Sequence, residues 1–121
     1  MFKEKIKYTR DQIYKQLGGN KQIYLPTVKN EVVCACLNPK LNPEAPRIIL
    51  VGSLSRTRKN ADSLCLQEGV IPVFLKRRTK EWEYVGEWKV KGYSSEKADI
   101  QGYEKTSGRK GLYKIIFLTK C

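Results

Sequence analysis

The sequence contains no histidine, and this absence excludes several kinds of active site. A Ser-His-Asp triad, a Cys-His pair, a histidine general base and a histidine-ligated catalytic zinc all require an imidazole. Cysteine offers little replacement, because Cys34 and Cys36 are separated by one residue instead of the two typical of zinc knuckles, and no second pair follows. We therefore expect no metal, no cofactor and no catalytic residue.

Long apolar runs are also missing. No segment approaches the roughly 20 apolar residues of a membrane-spanning helix. The first residues, Met-Phe-Lys-Glu-Lys-Ile-Lys, lack the apolar stretch of a secretory signal. The four cysteines are then expected to be reduced and mostly buried. These absences predict a cytoplasmic protein with no membrane partner.

Positive charge is what the sequence has in excess. It carries 24 Lys and Arg against 12 Asp and Glu, a formal charge of +12 over 121 residues. With 40% hydrophobic residues, 10% aromatic residues and only five prolines, the composition is that of a folded chain and not of a disordered one. The length indicates a single domain over residues 1–121. The charge belongs to its surface and predicts a polyanionic partner, nucleic acid above all.

Two helices are predicted. Thr9 and Gln12 have the spacing of a capping box for a helix over residues 10–17, which Gly18 and Gly19 end. Apolar residues with helical period predict a second helix over about residues 56–69.

Strands account for most of the remaining sequence. The segment at residues 47–52 is apolar on both faces, which predicts a central buried strand. The polar residues 94–110 predict a long functional loop with one short helical turn. The order predicts an α+β fold, a small mixed or antiparallel β-barrel of five to six strands with two flanking helices. The predicted strands are 22–25, 31–37, 47–52, 70–77, 81–93 and 112–118.

Basic residues are concentrated at the start of the second helix and around a tight turn at residues 78–80, with a further basic loop near residue 110. A helix N-terminus adds free N–H groups and a positive dipole end, so residues 53–60 form a predicted phosphate cradle. The candidate nucleic-acid-binding residues are Arg56, Arg58, Lys59, Arg77, Arg78, Lys80, Arg109 and Lys110.

Aromatic residues recur along the strand predicted at 81–93. With a strand period of two, Trp82, Tyr84 and Trp88 share one face, and Glu and Lys residues share the other. One interpretation is that these rings are barrel core and that Gly86 marks a bulge or close packing. The other is that one or two of them line a pocket in which an unpaired or flipped base stacks. The two interpretations are compatible if the residues in the middle of the strand pack in the core and those at its end are exposed at the barrel mouth.

Two further functions stay open. Glu87 and Lys89 have the Glu-x-Lys spacing of two-metal nucleases, and Glu83 lies nearby, but the preceding strand supplies no acid. The alternative from another class is a protein-interaction subunit whose basic face meets an acidic partner.

Several segments together resemble a known group of proteins. They are Tyr8-Thr-Arg-Asp-Gln-Ile, Tyr24-Leu-Pro, Val33-Cys-Ala-Cys-Leu-Asn-Pro, Asn42-Pro-Glu-Ala-Pro before Ile48-Ile-Leu-Val-Gly, and Pro72-Val-Phe-Leu-Lys-Arg-Arg followed by Trp82-Glu-Tyr-Val-Gly. These segments span about residues 8–118. They resemble small microbial proteins similar to the PUA-like superfamily, which includes the SRA, EVE, YTH and ASCH domains. Related modules accompany HNH and other restriction nucleases.

The resemblance implies a pseudobarrel of five or six strands that reads nucleic acid without catalysis. It implies that Trp82, Tyr84 and Trp88 are pocket residues and that Arg77 and Arg78 belong to the basic surface. DNA carrying a modified base is the expected ligand ahead of RNA, and a nuclease or other defence protein is an expected partner.

Overall fold

The chain forms a curled half-barrel sheet, a small second sheet and three helices. A computed structural model describes all 121 residues. Its elements in chain order are β1 (Lys7–Tyr8), α1 (Arg10–Leu17), β2 (Thr27–Val28), β3 (Glu31–Val32), β4 (Ala35–Leu37), β5 (Ile48–Val51), α2 (Ser55–Leu66), β6 (Ile71–Arg78), β7 (Glu81–Ser94), α3 (Lys97–Ser107) and β8 (Lys114–Lys120). The predicted α+β class and small barrel-like architecture are confirmed, with three helices in place of two.

The strand order of the main sheet leaves two open edges. The order is β4, β6, β7, β8, β5, and β1 pairs with β7 beside this path. β4 and β6 are parallel, and the other neighbours are antiparallel. Strands β2 and β3 form the separate second sheet. The half-barrel is therefore not closed between β4 and β5.

Apolar residues cover both faces of the main sheet, because side chains alternate along each strand. On β6, Val73 and Leu75 join the largest core cluster, which α2 covers with Ala61 and Leu64. Phe74 points to the opposite face, where α1 packs Ile13 against it. A third cluster lies under α3, which contributes Ile100 and Tyr103. None of the three helices is long and apolar enough to cross a membrane.

Helix α1 forms as its capping residues predict. The Thr9 hydroxyl accepts a hydrogen bond from the Gln12 amide at 3.1 Å, and the Gln12 side chain accepts one from the Thr9 amide at 2.8 Å. Gly18 ends the helix with φ +81°, a conformation that favours glycine. Helix α2 is also confirmed, but it ends at Leu66 instead of continuing to about residue 69.

Two of the predicted strands are wrong in detail. Residues 22–25 form no strand; the Tyr24 carbonyl accepts from the Cys36 amide, so this segment lies along the open edge of β4. The strand predicted at 31–37 is divided, because β3 pairs with β2 across a turn at Lys29 and Asn30 and β4 belongs to the main sheet. The chain leaves one sheet and enters the other between these two short strands.

Strand β5 lies at an edge of the sheet and not at its centre, which corrects the prediction. It is nevertheless buried, because Ile49 and Val51 pack in the largest core cluster and Leu50 packs in the third. On its open edge the Asn42 side-chain oxygen accepts a hydrogen bond from the Leu50 amide at 2.8 Å, in place of a neighbour strand. Apolar residues on both faces indicate burial alone, so the sequence could not distinguish the two positions.

Helix α3 occupies most of the segment predicted to be a long loop. None of its residues is buried, and only Ile100 and Tyr103 contact the core. Two apolar contacts do not make the periodic pattern that predicts a helix. Gly108, with φ +76°, ends the helix and was its one local signal.

Candidate functional site

The largest cavity, about 780 Å³, opens where the half-barrel does not close. Cys36 and Asn38 border it from the end of β4, and Leu50 and Gly52 border it from β5. We call it the seam cleft. Its lining residues are Arg10, Lys21, Gln22, Ile23, Tyr24, Cys36, Asn38, Leu41, Asn42, Leu50, Gly52, Leu54, Arg56, Thr57, Lys76, Trp82 and Arg109.

The ionisable groups of the seam cleft are dominated by cations. Arg10, Lys21, Arg56, Lys76 and Arg109 line it, and no Asp or Glu does. Charges of one sign around a concave, poorly hydrated surface concentrate the field within it. The cleft therefore attracts anions more strongly than the net charge of the chain alone would.

Trp82 lies at one end of the cleft, and two of these cations are close to its ring. The Arg10 guanidinium carbon is 5.4 Å from the ring centroid, and the Lys76 ammonium is 5.9 Å from it. Arg10 Nη2 also donates to the carbonyl oxygens of Asn20 at 2.9 Å and Ile23 at 2.7 Å, which fixes its guanidinium. This end combines an aromatic surface with held positive charge.

Two polar atoms of the cleft wall are buried without a hydrogen-bond partner in the protein. They are Arg10 Nε and Tyr24 Oη. Leaving such a group unpaired costs about 1–3 kcal/mol. Burial raises the pKa of the Tyr24 hydroxyl, and the Arg109 charge opposes that change, so the hydroxyl keeps its proton and can donate. Both groups are therefore donors that have no acceptor within the folded protein.

Arg109 holds the wall of the cleft together. Its Nη1 donates to the carbonyl oxygens of Leu41 and Leu50, each at 2.9 Å, and so joins the loop before β5 to the strand itself. Burial lowers the pKa of the guanidinium, while Tyr24 favours its charge. The predicted binding residue Arg109 thus lines the cleft and also has a structural role.

The start of α2 borders the cleft through Leu54, Arg56 and Thr57. Leu54 is the N-cap residue; no side chain caps the helix, and its first turn contains no acid. The first N–H groups of an uncapped helix and its positive dipole end favour an anion. The segment predicted from sequence to form a phosphate cradle therefore borders a cavity lined by cations.

The other predicted basic residues lie outside the cleft. Arg58 and Lys59 line a separate depression of about 420 Å³ that also contains Asp62 and Tyr113. Arg77 pairs with Glu83 at 2.8 Å. The structure therefore brings Arg56 and Arg109 together and leaves the exposed Arg78, Lys80 and Lys110 elsewhere.

The three aromatic rings do not share one face of the sheet, which corrects the prediction for Trp88. Tyr84 is 9% exposed and packs in the cluster under α1, whereas Trp88 is 8% exposed and packs in the cluster under α2. Both touch a depression of about 590 Å³ that Glu4 and Glu83 also line. Trp82 alone lines the seam cleft.

A β-bulge at Gly86 separates the rings. Tyr84 pairs with Phe74 and Glu87 pairs with Pro72, so three steps along β7 correspond to two along β6. Gly86 has φ +99°, a conformation that favours glycine, and it lies within the stretch that contains the extra residue. Because one added residue reverses the alternation, the side chains after the bulge point to the other face.

The same bulge bears on the nuclease alternative. Since Tyr84 and Trp88 lie on opposite faces, the side chains of Glu83 and Glu87 also do, and Glu83 is already paired with Arg77. No group of three or more His, Cys, Asp or Glu side chains is placed to hold a metal ion. All four cysteines are free thiols; the Sγ atoms of the buried pair Cys34 and Cys36 are 3.9 Å apart.

Sequence reasoning missed three cleft residues that come from separate segments, namely Arg10, Lys21 and Tyr24. Arg10 follows a helix cap and Tyr24 lies in a connecting segment, so neither has a local pattern typical of binding. Lys21 is a single basic residue among many, whereas Lys76 belongs to the basic cluster predicted around the turn at residues 78–80. Only the curl of the sheet, which brings its two open edges near each other, places these side chains in one cleft.

The sequence matches, over residues 7–104, the family described as Domain of unknown function (DUF6697). The match runs from β1 into α3 and includes every lining residue of the seam cleft except Arg109. No curated protein and no solved structure gives a significant match. The match covers well over half of the chain, and the protein belongs to this family.

Proposed function

We propose that this DUF6697 protein binds nucleic acid, DNA in preference to RNA, and holds one base of it in the seam cleft without catalysis. One observation carries the proposal: five Lys and Arg side chains, an aromatic ring and no carboxylate line a single cleft of about 780 Å³. Nucleic-acid sites combine these same chemistries, cations for the phosphates and aromatic rings for the bases.

The phosphate would lie at the start of α2. Arg56 supplies a full charge there, and the uncapped first turn supplies N–H groups. Anions at helix N-termini are stabilised by about 0.3–1 kcal/mol when exposed, and more when they are partly buried. Arg56 is therefore the main residue for backbone affinity within the cleft.

The base would lie at the other end, against Trp82 and Arg10. The volume is within the range of about 300–1,000 Å³ usual for ligand pockets, so a whole nucleotide fits. Arg10 Nε and Tyr24 Oη offer unpaired donors to the acceptor atoms of a base edge. Stacking supplies affinity and these donors supply selectivity.

The wider setting of the proposal comes from the sequence resemblance. A half-barrel with an aromatic residue and basic side chains in its cleft supports kinship with PUA-like readers. We extend this to a reader of a modified base in a restriction or defence system, with a nuclease as a partner. Four free thiols support a cytoplasmic location.

Fluorescence polarisation with labelled DNA and RNA oligonucleotides, each single-stranded and duplex, tests the proposal. We expect binding that weakens steeply with salt, and Arg56→Ala should weaken it about fivefold, which is about 1 kcal/mol. Arg58→Ala is the matched control, because it removes the same charge from the same helix outside the cleft.

Two results would overturn the proposal. The first is the absence of salt-sensitive binding to any of the four oligonucleotides. The second is equal loss of affinity in the two arginine variants, since binding would then depend on general charge and not on the cleft. Co-purification with one acidic protein while nucleic acid is ignored would instead support the protein-interaction alternative.

A further inference from the structure

We infer that Leu54 is a wedge that enters the base stack of duplex DNA when one base moves into the seam cleft. The inference rests on the proposed function and goes beyond it, because it names duplex DNA as the ligand and gives a role to a residue outside the basic and aromatic sets. It starts from an apolar side chain at an unexpected position.

A leucine is an unfavourable residue for folding at the position of Leu54. It is the N-cap residue of α2, and its side chain is 76% exposed at the rim of the cleft. Leucine is among the poorest N-cap residues, and replacing a Ser or Asp cap by an apolar residue typically costs about 1 kcal/mol. Serines adjoin it on both sides, at positions 53 and 55, yet neither caps the helix. Neither local stability nor core packing explains this leucine.

A second exposed leucine borders the same cleft. Leu41 is 51% exposed and lines the opening from the loop before β5. Its carbonyl accepts from Arg109 at 2.9 Å, and its amide donates to the Asn38 carbonyl at 2.9 Å. The Leu54 carbonyl accepts from the Arg58 amide, also at 2.9 Å. Both side chains therefore project from backbone that hydrogen bonds fix.

A fixed apolar side chain beside a base pocket has a specific use on duplex DNA. Moving a base out of the duplex leaves a gap between its stacked neighbours. Proteins that deform DNA fill such gaps with Phe, Leu, Ile, Met or Pro side chains. Leu54 precedes Arg56 by two residues, so a phosphate held at the start of α2 would bring the adjoining base step against the leucine.

The wedge predicts different effects on duplex and single-stranded DNA. In a single strand no partner strand keeps the neighbours of the moved base apart, so there is no fixed gap for Leu54 to fill. Leu54 should therefore contribute little to the binding of single-stranded DNA. We would measure dissociation constants for both forms of one sequence with Leu54→Ala and with Leu66→Ala. Leu66 is the matched control, because it is 81% exposed at the other end of α2 and does not line the cleft.

We expect Leu54→Ala to weaken duplex binding about tenfold, as burial of a leucine side chain predicts, with single-strand binding within about twofold. Leu66→Ala should change neither. With 2-aminopurine beside the target position, where the base loses its stacked neighbour but does not enter the cleft, wild-type binding should raise the fluorescence of the duplex, and Leu54→Ala should reduce that rise. This second readout reports unstacking directly and does not depend on affinity.

Equal loss on duplex and single strand in Leu54→Ala would contradict the wedge, because the leucine would then be an ordinary contact. Unchanged duplex affinity would contradict it as well and would favour a protein-docking role for the exposed leucines. In either case salt-sensitive binding leaves the proposed function standing. If the wild-type protein binds no oligonucleotide, the proposed function fails and the wedge fails with it.

Discussion

Replacement of Tyr24 by Phe should separate binding from stability. The substitution removes one hydroxyl, which is buried and has no hydrogen-bond partner in the protein, and keeps the aromatic ring. An unpaired buried hydroxyl costs about 1–3 kcal/mol, so its removal should leave the free energy of unfolding unchanged or raise it by about 1 kcal/mol. For a domain of this size that increase corresponds to a rise in Tm of about 4 °C.

Binding should change in the opposite direction. If the hydroxyl donates to a base in the seam cleft, Tyr24→Phe loses that hydrogen bond and should weaken binding by about 1 kcal/mol, or about fivefold. Thermal unfolding by circular dichroism measures the first effect, and fluorescence polarisation with the preferred oligonucleotide measures the second. The two measurements use the same protein preparation.

The result that would refute this reasoning is a clear loss of stability in Tyr24→Phe, by about 1 kcal/mol or more. The hydroxyl would then have a partner within the folded protein, and its availability to a ligand would disappear. Unchanged affinity together with unchanged stability would also refute the role of Tyr24 in the cleft.

The other predictions concern the two tryptophans, the bulge and the Asp62 network. Trp82→Ala should weaken binding by about 1–3 kcal/mol in polarisation assays, whereas Trp88→Ala should destabilise the core by about 3–5 kcal/mol in urea unfolding; the reverse pattern would contradict their placement. Gly86→Ala should lower stability by about 1–2 kcal/mol in the same assay, because alanine is strained at φ +99°; a neutral effect would contradict the bulge. Burial raises the pKa of Asp62, but hydrogen bonds from Lys114 and Tyr113 outweigh it and hold the pKa below its ordinary 3.8. A carboxyl group whose pKa is lower in the folded state stabilises the protein at pH values above its unfolded pKa, and this stabilisation is lost as pH falls through the folded pKa. The stability advantage of wild type over Asp62→Asn should therefore be constant above about pH 4.5 and decline in unfolding measurements at lower pH. An advantage that persists at about pH 2 would contradict this.

The elements with strong local signals could be predicted from the sequence. The capping box at Thr9 and Gln12 fixed the bounds of α1, and apolar runs located β5, β6 and β8 closely. Helix α3 could not be predicted, because it buries no residue and makes only two apolar contacts. The position of β5 at an edge follows from which strands pair with each other, and the local sequence of β5 does not contain that information.

The candidate site was less predictable because it depends on how the sheet curls and brings distant segments together. The aromatic strand was recognised, but one extra residue at Gly86 moved Trp88 to the opposite face from Trp82. Arg10 and Tyr24 lie far from Trp82 in sequence, and only the fold places all three in the lining of the seam cleft. The kinship with PUA-like proteins and the nucleic-acid partner stay predictions.

The central claim, that nucleic acid binds at the seam cleft with a phosphate at the start of α2, is tested most directly by the salt dependence of binding in Arg56→Ala. For the wild type, log K should fall linearly with log salt, by about 0.9 per phosphate neutralised on duplex DNA. Loss of one phosphate contact should reduce the slope of Arg56→Ala by about 0.9, and Arg58→Ala should keep the wild-type slope. An unchanged slope in Arg56→Ala, or no salt dependence at all, would contradict the account.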